Sequence, residues 1–452
     1  MKIGVVSLGC DKNRIDSENM LAYLQDDGYE LTGDPSLAEI IIVNTCGFID
    51  SAKQEAIDTV LEMSEYKKGK CKYLIVTGCL PQRYMSDMAD GFPEVDMFLG
   101  TANYHILPKL IKDLVAGRSE RTYTNDKDVR HFSPKRVLTT PYHYAYLKIA
   151  EGCDNKCTYC AIPNIRGKYT SRKIEDIVDE AQSLVKDYGI KELIIVAQDV
   201  SRYGVDLYGE VKLIQLLEKL SELDVDWIRL LYLYPENITE TLIDYIAGNP
   251  KICNYIDMPC QHISDGILKL MNRRIKSEQI YNLIDMIRSK GDFTIRSTFI
   301  VGFPRESEED FAELEKFIST AKLDRCGFFA YSQEDGTPAS RLSGQIEEDV
   351  KLQRQERLYA LQENVMIENM KSRLGKQLDV LYEGIDYDMQ MFYGRSMFDA
   401  PQIDTNIYFV ADKPLEIGRI YKVMIEELDG EDYIGRAVST NVRKGRNYDR
   451  NM

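Results

Sequence analysis

At 452 residues, with 44% hydrophobic and 29% charged side chains, the chain is long enough for about three domains and for a core that needs no disulfide staples. Lys and Arg number 57 against 73 Asp and Glu, a net charge of -16, which argues against general binding to nucleic-acid phosphates and favours a basic partner. No apolar run of about 18 or more residues predicts a membrane span, and the opening MKIGVVSLGC has no signal-peptide layout. A cytoplasmic protein is expected, and its ten cysteines read as ligands, catalytic groups or core residues rather than a disulfide framework.

In chain order, Ile3 to Leu8, Ile40 to Asn44, Tyr73 to Thr77 and Val95 to Leu99 are short apolar runs. Helical spacing fills 14–27, 50–66, the segment that Pro81 opens from an N1-like position, and the stretch up to about residue 115. This alternation predicts an open parallel sheet covered on both faces. Residues 117–141 are polar and Pro-punctuated and read as a linker. A second series has strands near 143–150, 192–197, 227–233, 254–258, 293–301 and 326–331, with helices near 172–187, 210–221, 238–247, 263–289 and 306–320. Six such steps predict a partial (β/α)6 barrel rather than a closed eight-fold one. A long polar helix over 346–372 precedes alternating short strands, with Gly394, Gly418, Gly430 and Gly435 placed in turns; this predicts a small all-β barrel. The expected division is therefore α/β: an N-terminal sheet domain over 1–117, a linker over 118–138, a central barrel over 139–371, a β-barrel over 372–440 and a basic tail over 441–452.

The strongest chemical signal is Cys153-Asp-Asn-Lys-Cys157-Thr-Tyr-Cys160, placed after the first barrel strand, where barrel enzymes keep their active sites. Structural zinc wants four closed ligands. Three thiolates on a four-iron cluster instead leave one iron open to an outside ligand. The alternative is three buried or zinc-linked cysteines. The second signal is Cys10, Cys46 and Cys79, which directly follow the predicted strands VVSLGC, IIIVNTC and YLIVTGC. Strand carboxyl ends share one edge of an open parallel sheet, so the three can meet at one point; the alternative is three small residues packing the sheet. Cys71, Cys253, Cys260 and Cys326 show no such placement and read as core or pocket lining.

At Cys153, Cys157 and Cys160, with Tyr159 before the last, the sequence resembles the radical S-adenosylmethionine superfamily and its CxxxCxΦC hallmark. The resemblance implies that the open iron binds S-adenosylmethionine and that the sulfonium is cleaved to a 5′-deoxyadenosyl radical. The two trios together, with the terminal barrel as a TRAM domain, resemble the methylthiotransferase family over nearly the whole chain. That implies two [4Fe-4S] clusters, the first on Cys10, Cys46 and Cys79 to hold or supply sulfur and the second to make the radical. It also implies conversion of a C–H bond to C–S–CH3 with two S-adenosylmethionine consumed. SLGCDKNRIDSE, NTCGFIDSAKQE, VTGCLPQRY, AEGCDNKCTYCAIPNIRGKYTSR, MPCQHISDGILKLMNRR and YSQEDGTPA are similar to the ribosomal, RimO, branch of that family. The implied substrate is an aspartate β-carbon of the twelfth small-subunit ribosomal protein, uS12; the alternative is adenosine of transfer RNA. A low-potential electron donor such as flavodoxin or ferredoxin and a sulfur donor are implied partners, with no membrane and at most secondary contact to RNA. Asp11, Cys260 and Arg305 stand where that branch usually has Pro, Leu and Gly.

Charge supports the ribosomal branch. Residues 372–436 hold seven Lys and Arg and thirteen Asp and Glu, including Asp386, Asp388, Asp399, Asp404, Glu426, Glu427, Asp429, Glu431 and Asp432, so this barrel should repel RNA and attract a basic protein; an ordinary solvated surface is the plain alternative. The tail residues Arg443, Lys444, Arg446 and Arg450 are candidates for contact with ribosomal RNA. The resemblance puts cofactor contacts at Gln198 and Asp199; Ile300 and Gly302 at the end of the fifth strand are candidates to pack against adenine, with a plain strand end as the alternative. Arg229, Gln261, His262 and Arg296 lie on or near strand ends and are candidates to reach a pocket, with an ordinary buried polar residue as the alternative for each and His262 read as structural. His105, His131 and His143 belong to no constellation.

Overall fold

The structure is a computed structural model that describes residues 1–124, 132, 133 and 135–439. Part of the expected linker, His131 and the expected basic tail with its four arginines and lysines lie outside the described residues. Among the described residues no helix is long and apolar enough to cross a membrane.

In the N-terminal part, β1 (Lys2–Ser7), β2 (Glu30–Thr32), β3 (Ile40–Thr45), β4 (Tyr73–Gly78), β5 (Met97–Leu99) and β6 (Thr122–Tyr123) form one sheet in the order β2-β1-β3-β4-β5-β6, every pair parallel. The pleat sends alternate side chains to opposite faces. Ile40 and Ile42 therefore pack with Met20 and Leu24 of α1 (Asp11–Asp26) and with Leu107 and Leu110 of α4 (Leu107–Val115). Ile41 and Val43 pack with Val60 of α2 (Asp50–Glu65) and Met88 of α3 (Cys79–Gly91). Both faces are dry, which is why these strands read as continuous apolar runs. The sequence reading missed β2 and β6, edge strands of three and two residues, and placed β6 inside the linker; neither is long enough to show a period. It also started α3 at Pro81. The helix begins at Cys79, and Pro81 falls within its first turn, where an N–H has no intrahelical acceptor to lose.

The central part has six parallel strands, β7 (Tyr144–Lys148), β10 (Glu192–Val196), β11 (Trp227–Leu230), β12 (Tyr255–Asp257), β13 (Thr294–Val301) and β14 (Arg325–Ala330), plus a short antiparallel pair, β8 (Ala150–Glu151) and β9 (Thr170–Ser171). They form two three-stranded sheets, bridged by the parallel contact of Ile228 with Ile252 and by the Leu233 N–H donating to the Asp257 carbonyl at 2.8 Å. The result is the open six-step barrel. The helix expected over 263–289 is two, Asp265–Leu270 and Ser277–Ser289. The break falls at Asn272, whose φ of 57° is a left-handed conformation that short polar side chains tolerate.

The C-terminal strands β15 (Gln377–Asp386), β16 (Met391–Ser396), β17 (Ile407–Val410), β18 (Ile420–Asp429) and β19 (Asp432–Ser439) close a barrel in the order β15-β16-β17-β19-β18. Gly418 and Gly430 turn the chain with positive φ, but Gly394 and Gly435, expected in turns, lie inside β16 and β19. An added Cβ would sit 2.1 Å from the Leu381 carbonyl oxygen at the first and 2.2 Å from that of Met424 at the second. This barrel docks on the central strands through a buried chain of charges. Arg229 donates to Glu192 at 2.7 Å, and Arg395 donates to Glu192 at 2.7 Å and to Glu383 at 2.6 Å. Burial opposes ionisation of Glu383, yet Arg395 and then His143 bring its carboxyl down to about 2. Asp399 and Asp404, expected on the acidic surface, are buried against Arg325 at 3.5 and 3.8 Å. They serve this interface, while Asp388, Glu426, Glu427, Asp429 and Glu431 are exposed.

Candidate functional site

Adjacent parallel strands end level. Ser7 pairs with Asn44, and Asn44 and Thr45 with Thr77 and Gly78, so Cys10, Cys46 and Cys79 emerge at one edge. Cys10 is exposed, Cys46 half-buried and Cys79 buried. Glycines admit the close approach: an added Cβ would lie 2.7 Å from Cys46 Cβ at Gly9 (φ 81°) and 2.4 Å from the Thr45 carbonyl oxygen at Gly78 (φ 102°). Asn13, fully buried on α1, donates to the carbonyls of Leu8 at 3.1 Å and Thr45 at 2.9 Å, tying the first two loops together. Burial pushes the Cys46 thiol up, with Cys10 adding to the rise. Burial brings Cys79 up to about 12, with help from Cys46 and Cys10 and against the pull of Arg166.

The central trio sits in the loop after β8. The Cys153 N–H donates to the Gly167 carbonyl at 3.1 Å, and the Thr158 N–H to that of Met271 at 3.1 Å. Asn155 donates to Asp199 at 3.0 Å. Asn272, whose left-handed backbone splits the helix, donates from its side chain to the Lys156 carbonyl at 2.7 Å, so the break clamps the cysteine loop. Cys157 Sγ lies 3.0 Å from the Tyr234 hydroxyl, and the Ile162 N–H donates to Cys160 Sγ at 3.4 Å. Burial raises Cys153 to about 11 and raises Cys160 further, with Cys157 adding to both.

The other expected residues divide. Tyr159 and Ile300 pack beside Met271, Phe303 and Tyr331 in one apolar cluster near the loop. Gln198 donates to Glu151 Oε1, and its own Oε1 is buried without a partner. Asp199 is fully buried, and its carboxylate accepts from both Asn155 and Ser201. Gly302 has φ 69°, and its open side faces Lys351 of the helix Glu348–Lys371, where an added Cβ would lie 2.2 Å from Lys351 Cγ. Arg229 points to Glu192 and the Met397 carbonyl at the barrel interface, away from both trios. Arg296 pairs with Asp257 at 2.9 Å, and His262 Nδ1 accepts the Ser264 N–H at 3.0 Å. Gln261 adopts φ 72° and bridges to Phe299. Cys71, Cys253 and Cys260 are buried and Cys326 half-buried. Arg305, with φ 71°, keeps a glycine-like turn by docking on Ser343 and Gly344.

Sequence reasoning missed the charged side chains around the trios. Arg273 stacks 4.2 Å over the Tyr234 ring and grips Glu236 through two 2.8 Å bonds. Arg166 ends α5 (Ile162–Arg166) and is buried against Cys79, Asn13, Asp16 and Glu151. Its place six residues after Cys160 was the available signal. Among the described residues no group of three His, Cys, Asp or Glu is drawn together tightly enough for a single metal ion.

Comparison with known proteins gives three family matches: the uncharacterized protein family UPF0004 over residues 2–100, the radical SAM superfamily over 147–318 and the TRAM domain over 374–438. A solved radical S-adenosylmethionine methyltransferase, TsrM from Kitasatospora setae, superposes with a TM-score of 0.58 at 14% identity, covering 75% of this chain and 73% of that one; at that identity it speaks for the fold alone. Fold and matches define the class: a radical S-adenosylmethionine domain between a parallel α/β domain and a TRAM barrel. Ribosomal protein uS12 methylthiotransferase RimO from Acetivibrio thermocellus is 46% identical over 97% of this chain and 98% of its own length. Those from Caldicellulosiruptor saccharolyticus and Clostridium kluyveri are 47% and 48% identical over 97% and 96% of this chain and 100% and 98% of their own. The chain belongs to the RimO family of ribosomal protein uS12 methylthiotransferases.

Proposed function

We propose that this chain is a cytoplasmic radical enzyme that methylthiolates an aspartate β-carbon of uS12, with Cys153, Cys157 and Cys160 holding one [4Fe-4S] cluster and Cys10, Cys46 and Cys79 a second. The observation that carries the reading is near-full-length identity of 46–48% to enzymes named for that activity, joined to two thiol trios, each at a strand-end edge. The donor chemistry fits, because all six donors are soft thiols, and a metal would displace the proton that burial favours on Cys79 and Cys153. When bound, the central cluster supplies the electron that splits S-adenosylmethionine.

The chain's own residues orient and shield that event. Asp199 fixes the cysteine loop through Asn155. The buried Oε1 of Gln198, which has no partner in the chain, would accept from the methionine ammonium. Tyr159 and Ile300, backed by Phe303 and Tyr331, exclude water from the radical, while Gly302 lets the fifth strand close on Lys351. The exposed carboxylates of the terminal barrel suit a Lys- and Arg-rich ribosomal protein. A low-potential reductant such as flavodoxin or ferredoxin, and a sulfur donor, complete the reaction.

The test is mass spectrometry of uS12 and of digested transfer RNA from a deletion strain complemented with wild type, Cys157→Ala or Cys46→Ala. Wild type restores the mark on uS12 and neither variant does. Purified Cys157→Ala loses cleavage of S-adenosylmethionine, whereas Cys46→Ala keeps it. A mark that returns on nucleosides alone, or cleavage that survives Cys157→Ala, overturns the reading.

A further inference from the structure

One side chain joins the central domain to the N-terminal trio. Arg166, 3% exposed, leaves the central domain six residues after Cys160 and reaches the N-terminal domain. Its Nη2 donates to Asn13 Oδ1 and, at 3.3 Å, to Cys79 Sγ. Its Nη1 donates to Asp16 at 2.6 Å and to Glu151 at 3.2 Å. Lys148 holds the same two carboxylates at 2.5 and 2.7 Å. Glu151 in turn accepts from Gln198 on the far side. A buried guanidinium with two carboxylate partners and a sulfur is costly to assemble unless each donor is used. Here it also shares Asn13 with the loops around Cys10 and Cys46.

From this geometry we infer that Arg166 is a positioning residue that sets the reduction potential of the N-terminal centre. The inference rests on the reading that Cys10, Cys46 and Cys79 hold a cluster. A charge-assisted N–H···S bond favours the more negative, reduced state and so raises the potential. Glu151, as counter-ion to the guanidinium, opposes that effect. Both arms act through Cys79, so the two substitutions should move the potential in opposite directions.

The test uses the full chain with Cys153, Cys157 and Cys160 all changed to Ala, so that only the N-terminal trio loads. Iron analysis comes first: about four irons per chain are expected, and an iron-free chain overturns the cluster reading itself. EPR-monitored redox titration then follows in that background. Arg166→Gln lowers the midpoint, Glu151→Gln raises it, and Arg166→Lys falls between Arg166→Gln and the parent. Where Arg166→Gln fails to load iron, the upward shift in Glu151→Gln decides. An unmoved midpoint in the loaded variants, or shifts of the same sign for Arg166→Gln and Glu151→Gln, overturns the role of Arg166 while leaving the cluster in place.

Discussion

The two cysteine trios reach similar ends by different routes. Cys153, Cys157 and Cys160 are neighbours in one loop, clamped by bonds to Asp199 and Met271 and from Asn272. Cys10, Cys46 and Cys79 span 69 residues between first and last and meet only because β1, β3 and β4 are parallel and in register. A loop site depends on its clamps. A site assembled from strand ends depends on the whole sheet and on the helix carrying Asn13. The second should therefore be the more fragile, and damage to the N-terminal domain should separate the two.

The largest separation is expected at Arg136. It joins Glu18 on α1, Glu180 and the Tyr146 carbonyl, and all three charged groups are buried. Arg136→Met takes the guanidinium from buried Glu18, while Glu180 keeps Arg172, and should cost about 3–5 kcal/mol, read as a lower denaturant midpoint, with iron lost from the N-terminal trio first. Equal loss from both trios would break the comparison. A smaller and more local effect belongs to Gly78→Ala. The backbone at φ 102°, ψ -153° is essentially glycine-only and alone costs about 1–3 kcal/mol, and the clash with the Thr45 carbonyl displaces Cys79. Iron analysis should show the N-terminal centre depleted and cleavage of S-adenosylmethionine retained. The smallest is Arg305→Gly, at an exposed side chain. It relieves positive-φ strain of about 1 kcal/mol but loses the Ser343 contacts, so thermal unfolding should shift by no more than a few degrees and neither centre should change.

What the sequence made legible follows the same division. The parallel sheet and the six-step barrel were readable because their strands are apolar runs separated by helices, and the terminal barrel because its short strands alternate with turns. Spacing alone singled out the central trio as a candidate, and strand-end placement the N-terminal one. The edge strands β2 and β6 were not readable, since pairing rather than pattern makes them strands. The split at Asn272 was hidden because the residues around it keep helical spacing while one backbone angle does not. Asp399 and Asp404 looked like surface because a carboxylate's partner, here Arg325 some 75 to 80 residues away, is invisible to local charge counting. Arg166 was overlooked for the same reason: its partners Asn13, Asp16 and Cys79 all come from the other domain.

The most direct test of the account is the iron content and Mössbauer spectrum of anaerobically prepared chains. Wild type should hold about eight irons, and each triple-cysteine variant about four, all in [4Fe-4S] form. A wild-type chain with about four irons, or zinc in either trio, would contradict it.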